Sequence, residues 1–274
     1  KVIVSPAFKR PADEARVSIA PGLSRHYLDW PGVGPPVLLL HGSKSNARAW
    51  DFVADTSTMK DRHFLAPDLR GHGLSDAPPT GYQIEALTAD VWNFLDALVI
   101  ERAVVVGTAT GGYMALTMAA AKPERVAAIA VVDAGIWIDP NLNFAPRKRI
   151  YSSMADGRAA LDRSAGWDDA AKDHYAYHSF RELDDGRVEY RHFEQSETAE
   201  SRDTFDIEAM KITCGTLLVR GEHSDITSAE TQTRLVGHIP QAEIVTVAGS
   251  GHHVPLDRPA GLAAALDAFV LANS

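Results

Sequence analysis

The chain has 274 residues, 45% of them hydrophobic and 23% charged, which fits one large globular domain with enough length to bury a core. Its formal net charge of −9, with no basic run, argues against partners such as nucleic acid or anionic lipid. No apolar run approaches the roughly 20 residues that span a bilayer, and the single cysteine, Cys214, excludes an internal disulfide.

Short apolar runs alternate with segments of helical periodicity along most of the chain. In chain order, the sequence predicts strands over 36–41 and 63–69, a helix over 84–98, a strand over 103–107, a helix over 113–121, strands over 126–134, 216–222 and 242–249, and a helix over 259–272. The strands show little polar alternation and helices separate them. We therefore expect an α/β fold with a mostly parallel sheet covered by helices on both faces.

The alternation lapses between about residues 136 and 208, in a segment rich in charged and aromatic residues. We interpret this segment as an insertion, a mostly helical cap, so that residues 1–135 and 209–274 form one core domain. Open α/β sheets bind ligands at the carboxyl edge of their strands, and we expect the cap to cover that edge.

The stretch VVVGTATGG, residues 104–112, reads as a buried strand that breaks at Gly107 and continues as a helix after Gly112. Strand, G-x-X-x-G and helix form the pattern of a nucleophile elbow, whose central residue stands on a strained turn at the top of the sheet. Here the central residue is Ala109, and its methyl group can do no chemistry.

This elbow and four further segments resemble the α/β-hydrolase family, and they occur in the family's order. LLLHGSKSNARAW is similar to the family's oxyanion-hole segment, and APDLRGHGLSD to the turn after the next strand. LLVRGEHSDITS is similar to the loop carrying the catalytic acid, and VAGSGHHVPLDRP to the loop carrying the histidine. The resemblance implies the α/β-hydrolase fold and hydrolytic chemistry that needs no cofactor.

The resemblance also implies catalytic roles in the chain order nucleophile, acid, histidine. His252, directly after Gly251, matches the general base. Two carboxylates compete for the acid that orients it. Asp225 lies in GEHSD after a predicted strand, where the family usually holds its acid, and Asp133 ends the strand after the elbow helix. We favour Asp225 and keep Asp133 as the alternative.

The family's two oxyanion donors correspond to the backbone N–H groups of Ser43 and Thr110, and the start of the elbow helix adds its dipole. We expect Gly42 and Trp137 to contact the substrate, Trp137 because it comes just after a strand end. Further aromatic candidates for an apolar pocket are Trp50, Trp167, Tyr175, Tyr177 and Phe180.

Three hypotheses account for Ala109. It is native to a non-catalytic relative that kept its pocket, or it replaces an aspartate as in epoxide hydrolases and haloalkane dehalogenases, or it replaces a serine. The aspartate nucleophiles of the family are typically followed by Trp, whereas Thr110 follows here and GTATGG is close to the serine form GTSTGG. Because His252 and Asp225 are both retained, we interpret the chain as a Ser→Ala form of a serine hydrolase.

Two weaker patterns bear on cofactors. His174 and His178 are four residues apart and would share a helical face, as metal ligands do, but no zinc motif accompanies them and we expect no metal. GTATGG lacks the Lys of a P-loop and the G-x-G start of a dinucleotide fingerprint, so we expect no nucleotide cofactor. We expect His72, in RGHG, to be structural.

The sequence therefore predicts a hydrolase that cleaves a small-molecule ester, lactone or amide through an acyl-enzyme, inactivated at position 109. One alternative is carbon–carbon bond hydrolysis of a ring-cleavage product, which HHVPL disfavours because those relatives commonly carry Trp soon after the histidine. The other is a small-molecule receptor with a native Ala109. The single cysteine favours a reducing compartment, so we expect a cytoplasmic location, although the start at Lys1 rather than Met is consistent with loss of a few residues or of a leader.

Overall fold

The computed structural model of the protein describes residues 6–134, 148–161, 167–193 and 211–273. Its strands are β1 (Asp13–Ala20), β2 (Leu23–Trp30), β3 (Val33–Leu40), β4 (Arg62–Pro67), β5 (Ala103–Thr108), β6 (Val126–Val132), β7 (Ile150–Tyr151), β8 (Phe180–Glu182), β9 (Val188–Tyr190), β10 (Gly215–Gly221) and β11 (Ala242–Val247). Its α-helices are α1 (Asp51–Thr56), α2 (Ile84–Ala97), α3 (Thr110–Ala121), α4 (Met154–Ala160), α5 (Asp169–Ser179), α6 (Ala229–His238), α7 (Val254–Asp257) and α8 (Pro259–Asn273).

Eight strands form the main sheet, in the order β1-β2-β4-β3-β5-β6-β10-β11. The pairs β1–β2 and β2–β4 are antiparallel, whereas every pairing from β4 across to β11 is parallel. The carboxyl ends of the parallel strands therefore meet at one edge of the sheet. The loops that follow β3, β5, β6, β10 and β11 converge there, which makes this edge the place for a site.

The central strand β5 is buried on both of its faces. Val104 and Val106 pack in a core with side chains of α1 and α8, and Val105 packs on the opposite face with side chains of α2 and α3. This two-sided burial is the reason that the strand reads as an uninterrupted apolar run.

Helix α8 is also joined to the segment after α1 by hydrogen bonds. Asp267 of α8 accepts from the hydroxyls of Ser57 and Thr58 at 2.7 and 2.6 Å.

Between β6 and β10, residues 148–161 and 167–193 form a separate layer, which we call the cap. Its helices α4 and α5 and its antiparallel sheet β7-β9-β8 enclose a core of their own. Ala49 and Leu256 of the main domain belong to the same cluster, so the cap packs on segments that follow β3 and β11. The cap thus contains a small sheet as well as helices, and both predicted boundaries of the 136–208 insertion lie outside the described residues.

The α/β class with a mostly parallel sheet is confirmed, and each predicted strand and helix is present with ends shifted by a few residues. The hairpin of β1 and β2 is not among the predictions. β1 is an edge strand with a largely exposed surface, so it carries no apolar run that would reveal it. In the part of the chain that the structure describes, no helix is long and apolar enough to cross a membrane.

Candidate active site

Ala109 stands on a sharp turn between β5 and α3. Its backbone has φ 49° and ψ −116°, a conformation that costs a non-glycine residue about 1–3 kcal/mol. The Ala109 N–H donates to the carbonyl oxygen of Val132 at 3.0 Å, and the Ala109 carbonyl accepts from the N–H of Gly112 at 2.8 Å. The turn therefore has the strained geometry expected of a nucleophile elbow.

Two glycines allow the elbow to pack directly on its neighbouring strands. A Cβ added to Gly107 would lie 2.0 Å from the carbonyl oxygen of Gly111, and one added to Gly111 would lie 2.3 Å from the carbonyl oxygen of Leu40. No side chain tolerates such separations. The G-x-X-x-G spacing is thus a steric requirement of the way α3 begins against β3 and β5.

His252, in the loop between β11 and α7, contacts the carboxylate of Asp133, which follows β6. His252 Nδ1 lies 2.7 Å from Asp133 Oδ2. Because an ionised carboxylate only accepts hydrogen bonds, Nδ1 carries the proton and Nε2 is the basic nitrogen. Asp133 is fully buried, whereas 23% of the His252 side chain is exposed. His252 lines the same cavity as Ala109.

Asp133 receives further hydrogen bonds from the last residue of β10 and from the segment that follows it. Its Oδ1 accepts from the N–H of Gly221 at 3.1 Å, and its Oδ2 accepts from the Ser224 hydroxyl at 2.6 Å. The backbone of Asp133 also has a left-handed φ of 48°, and its N–H donates to Val219. Burial of a carboxylate is costly unless hydrogen bonds compensate it, and these donors supply that compensation.

The structure contradicts our preference for Asp225 as the partner of His252. Asp225 is exposed, and its loop reaches the site through Ser224, which contacts the carboxylate that the histidine uses. β6 and β10 are adjacent in the sheet, so residues after either strand end beside the histidine loop. Sequence position alone did not distinguish the two carboxylates, and the alternative, Asp133, makes the contact.

The loop after β3 lies against the elbow, since a Cβ added to Gly42 would be 3.0 Å from the Ala109 Cβ. His41 holds this loop in place. Its Nε2 accepts from the N–H of Leu69 at 3.0 Å, so its Nδ1 carries the proton and donates to the Gly42 carbonyl at 2.7 Å. Burial lowers the pKa of His41, which agrees with a neutral ring.

His72 holds the same loop one peptide further along. Its Nε2 accepts from the N–H of Lys44 at 3.2 Å, and its Nδ1 donates to the Arg70 carbonyl at 2.9 Å. Burial, and then the neighbouring His41, lower the pKa of His72 to about 3. His72 is therefore neutral near neutral pH and acts through its hydrogen bonds, as expected of a structural residue.

A partly open cavity adjoins Ala109, and Gly42 and Ser43 line it together with His252. Thr110 is the first residue of α3, directly after the elbow. The positions of Ser43 and Thr110 agree with a pair of oxyanion donors, and that role stays a prediction.

The aromatic candidates fall into different environments. Trp167 and Tyr175 of the cap line the cavity. Trp50 and Phe180 are buried in hydrophobic cores, and Tyr177 is 52% exposed. Trp137, the residue we expected to contact the substrate, lies outside the described residues.

His174 and His178 share a face of α5, with ring centroids 4.7 Å apart. His174 Nε2 lies 2.6 Å from Asp51 Oδ2 of the main domain, so this ring joins the cap to α1. Among the described residues, no group of three or more His, Cys, Asp or Glu side chains is arranged to hold a metal ion.

The model of the alpha/beta hydrolase family matches residues 37–265 of this sequence. That span runs from β3 into α8 and includes the elbow, Asp133 and His252. The chain belongs to the α/β hydrolase family.

Three similar proteins illustrate the range of the family. Bifunctional epoxide hydrolase 2 of Sus scrofa is 34% identical over 139 residues, which are 50% of this chain and 25% of that protein, so the match spans about a quarter of this curated relative. The solved structure of E-2-(acetamidomethylene)succinate hydrolase is 25% identical with a TM-score of 0.83, covering 94% of this chain and 99% of that one. A novel esterase from Mycobacterium tuberculosis is 26% identical with a TM-score of 0.76, covering 95% and 91% of the two chains.

Proposed function

We propose that this chain is a serine-type hydrolase of small-molecule carboxylic esters, lactones or amides whose nucleophile position is occupied by Ala109. With Ala109 at this position, the protein then binds its substrate without cleaving it. The observation that carries the proposal is the contact between His252 and Asp133, at 2.7 Å, beside the cavity that Ala109 also lines. A histidine oriented by a buried carboxylate next to an elbow has every part of an acyl-transfer site except the nucleophile.

With a serine at position 109, the chemistry follows from the geometry. The serine hydroxyl would attack the substrate carbonyl carbon while His252 Nε2 takes its proton, and the N–H groups of Ser43 and Thr110 would stabilise the oxyanion. The protonated His252 would then donate that proton to the leaving alcohol or amine as the carbonyl–heteroatom bond breaks. A water molecule, deprotonated by His252, would hydrolyse the acyl-enzyme and restore the serine.

The residue after Ala109 favours serine over aspartate as the missing nucleophile. Thr110 occupies the place where the aspartate branches typically carry Trp. The structural neighbours support ester or amide substrates, since one is described as an esterase and another as a hydrolase of an acetamidomethylene succinate. The pig relative, by its name, acts on epoxides, and an aspartate nucleophile is therefore included in the test.

Two restored variants, Ala109→Ser and Ala109→Asp, test the proposal directly. We expect Ala109→Ser to be labelled by a fluorophosphonate and to gain about 10⁴- to 10⁶-fold in turnover of 4-nitrophenyl esters or lactones, because the nucleophile and its base act as a unit. Adding His252→Gln to Ala109→Ser should abolish the labelling and serves as the matched control. We expect no epoxide opening by Ala109→Asp.

The opposite results have distinct meanings. If Ala109→Asp opens epoxides and Ala109→Ser stays unlabelled, the nucleophile is an aspartate and the serine assignment fails. If neither variant reacts with esters, lactones, amides or epoxides, the proposed hydrolase function fails and a receptor with a native Ala109 is the better description.

A further inference from the structure

The loop that contains Ser43 is held from one side by the cap. We call residues 42–46 the oxyanion loop. The hydroxyl of Tyr190, in β9, donates to the carbonyl oxygen of Lys44 at 2.5 Å, and the hydroxyl of Tyr175, in α5, donates to Ser45 Oγ at 2.9 Å. Each tyrosine is only 3% exposed. Two buried cap hydroxyls therefore bind consecutive residues of this loop.

The main domain holds the same loop from the other side. The carbonyl of Gly42 accepts from His41, and the N–H of Lys44 donates to His72. In a planar trans peptide the carbonyl and the following N–H point in opposite directions, so the His41 contact directs the N–H of Ser43 away from His41. The direction of that donor is thus set by the peptide planes of the loop.

Lys44 has an unfavourable backbone conformation within this loop. Its φ is 57°, in the left-handed region that a residue with a side chain seldom adopts. His72 binds the N–H of this residue and Tyr190 binds its carbonyl. His72 thus holds the peptide between Ser43 and Lys44, and Tyr190 holds the peptide between Lys44 and Ser45. Loss of either contact would let the strained torsions of Lys44 relax and so shift the neighbouring Ser43 peptide.

We infer that Tyr190 and Tyr175 are positioning residues for the oxyanion hole, which has its productive geometry only while the cap hydroxyls hold the oxyanion loop. An oxyanion donor must lie about 2.7–3.1 Å from the oxyanion, so a small rotation of the Ser43 peptide removes its benefit. The catalytic part of this inference rests on the proposed function.

Other contacts keep the cap attached when one tyrosine hydroxyl is removed. His174 Nε2 contacts Asp51 Oδ2 at 2.6 Å, and Asn46 Nδ2 donates to Ser179 Oγ at 3.1 Å. The ring of Tyr190 also packs on Phe180 inside the cap. A Tyr→Phe change therefore removes the contact to the loop and leaves the packing in place.

The first test measures catalysis with Ala109→Ser as the parent. Tyr190→Phe and Tyr175→Phe are compared with Tyr177→Phe, a control on α5 whose side chain is 52% exposed. We expect kcat on an aryl ester to fall about 3- to 10-fold in each of the first two variants and at least about tenfold in the double variant, with KM changed less than about twofold. The Ki of an aryl trifluoromethyl ketone, whose serine adduct carries an oxyanion, should rise in parallel, and Tyr177→Phe should match the parent.

A rise in KM alone, or an unchanged kcat and Ki in the double variant, would overturn the inference.

The second test does not depend on turnover and uses the Ala109 protein. Tyr190→Phe should speed hydrogen exchange at the Lys44 amide by about 3- to 10-fold, without changing exchange in β5. If Ala109→Ser is inert, the proposed function fails, but this measurement still decides whether the cap holds the oxyanion loop. Equal exchange rates in Tyr190→Phe and the parent would reject the inference that the cap holds the loop.

Discussion

Ser224 and His252 bind the same oxygen of one buried carboxylate. The Ser224 hydroxyl lies 2.6 Å from Asp133 Oδ2 and His252 Nδ1 lies 2.7 Å from it. The loop in which the sequence suggested a catalytic acid thus supplies a hydrogen-bond donor to the carboxylate that His252 contacts. This arrangement makes Asp133 the residue whose replacement should affect His252 most.

In the Ala109→Ser background, we expect Asp133→Asn to lower kcat by about 10⁴-fold. An amide can donate to Nδ1, which would favour the tautomer with its proton on Nε2 and leave no base for the serine. Asp225→Asn is the matched control, because Asp225 is exposed on the adjacent loop, and it should stay within about twofold of the parent. Steady-state kinetics on an aryl ester measure kcat for both variants. A larger loss of kcat in Asp225→Asn than in Asp133→Asn would assign to Asp225 the role of orienting His252.

Ser224→Ala should destabilise the protein by about 2–3 kcal/mol. The change removes a hydrogen bond to a buried carboxylate, and it also removes the acceptor for the N–H groups of Ile226 and Thr227, each 3.1 Å from Ser224 Oγ. Urea unfolding measures the loss, and Ser224→Thr, which keeps a hydroxyl, should recover most of it. An unchanged unfolding midpoint in Ser224→Ala would show that the Asp133 carboxylate does not depend on this donor.

The free energy of unfolding should fall as the pH falls from about 6.5 toward 3, with His72 as one cause. Burial lowers the pKa of His72 from 6.5 to about 3, so between these values the unfolded chain binds a proton that the folded chain excludes. At about pH 4.5 this difference costs about 2–3 kcal/mol. Denaturant unfolding across this range should therefore show a shallower pH dependence for His72→Gln than for the parent, and parallel curves would contradict the assignment.

Two other histidines modify that pH dependence. Burial, and then the charge of Arg48, lower the pKa of His178 to about 3, which adds to the loss of stability in acid. His26 acts in the opposite direction. Burial lowers the pKa of His26, but hydrogen bonds and charge from Asp68 and Glu14 outweigh burial and raise the pKa. The stability that His26 contributes to the folded state is therefore present at low pH and is lost as the pH rises.

Gly111→Ala should destabilise the fold by about 2–4 kcal/mol, because the new Cβ meets backbone that has no room to move. That Cβ would lie 2.3 Å from the Leu40 carbonyl oxygen. Gly237→Ala in α6 is the control, since no atom outside the adjacent helix backbone lies within 4 Å of its added Cβ. Thermal unfolding should show the control equal to the parent or slightly more stable, and a tolerated Gly111→Ala would refute the close packing of α3 on β3.

A structure of the Ala109 protein with an uncleaved ester or lactone should place the carbonyl carbon about 3–3.5 Å from the position of a serine oxygen at residue 109. The carbonyl oxygen should point at the N–H groups of Ser43 and Thr110. Binding of this ground state should be modest, because the donors are aimed at an oxyanion. A ligand whose carbonyl faces away from both amides would contradict the oxyanion assignment and the acyl-transfer mechanism together.

Local rules predict the elbow and the strands well, because the causes lie within a few residues. Gly107 is required by a contact with Gly111 inside the turn, and Val104 to Val106 form one apolar run because both faces of β5 are buried. Gly111 is required by Leu40 of β3, but its place in the G-x-X-x-G spacing reveals it. The choice between Asp133 and Asp225 has no such local cause. Both follow strands that are neighbours in the sheet, and only the tertiary contacts of Ser224 and His252 separate them.

The contacts between the cap and the oxyanion loop are also invisible in the sequence. Tyr175 and Tyr190 lie 130 and 146 residues from their partners Ser45 and Lys44, in a segment with no recognisable motif. A pattern of aromatic residues indicates a packed core. Which of their hydroxyls reach another part of the chain depends on how the cap is seated.

The hydrogen bonds that Asp267 of α8 accepts from Ser57 and Thr58 have a consequence for folding while the chain is being synthesised. Asp267 and Ser57 are 210 residues apart, and α8 covers one face of the central strands. A chain still emerging from the ribosome without α8 leaves part of that face of β3 and β5, the part that α1 does not cover, open to water and to other chains. Such long sequence separations slow folding. His252 and Asp133 are 119 residues apart, so their contact can form only after the chain has been synthesised through His252.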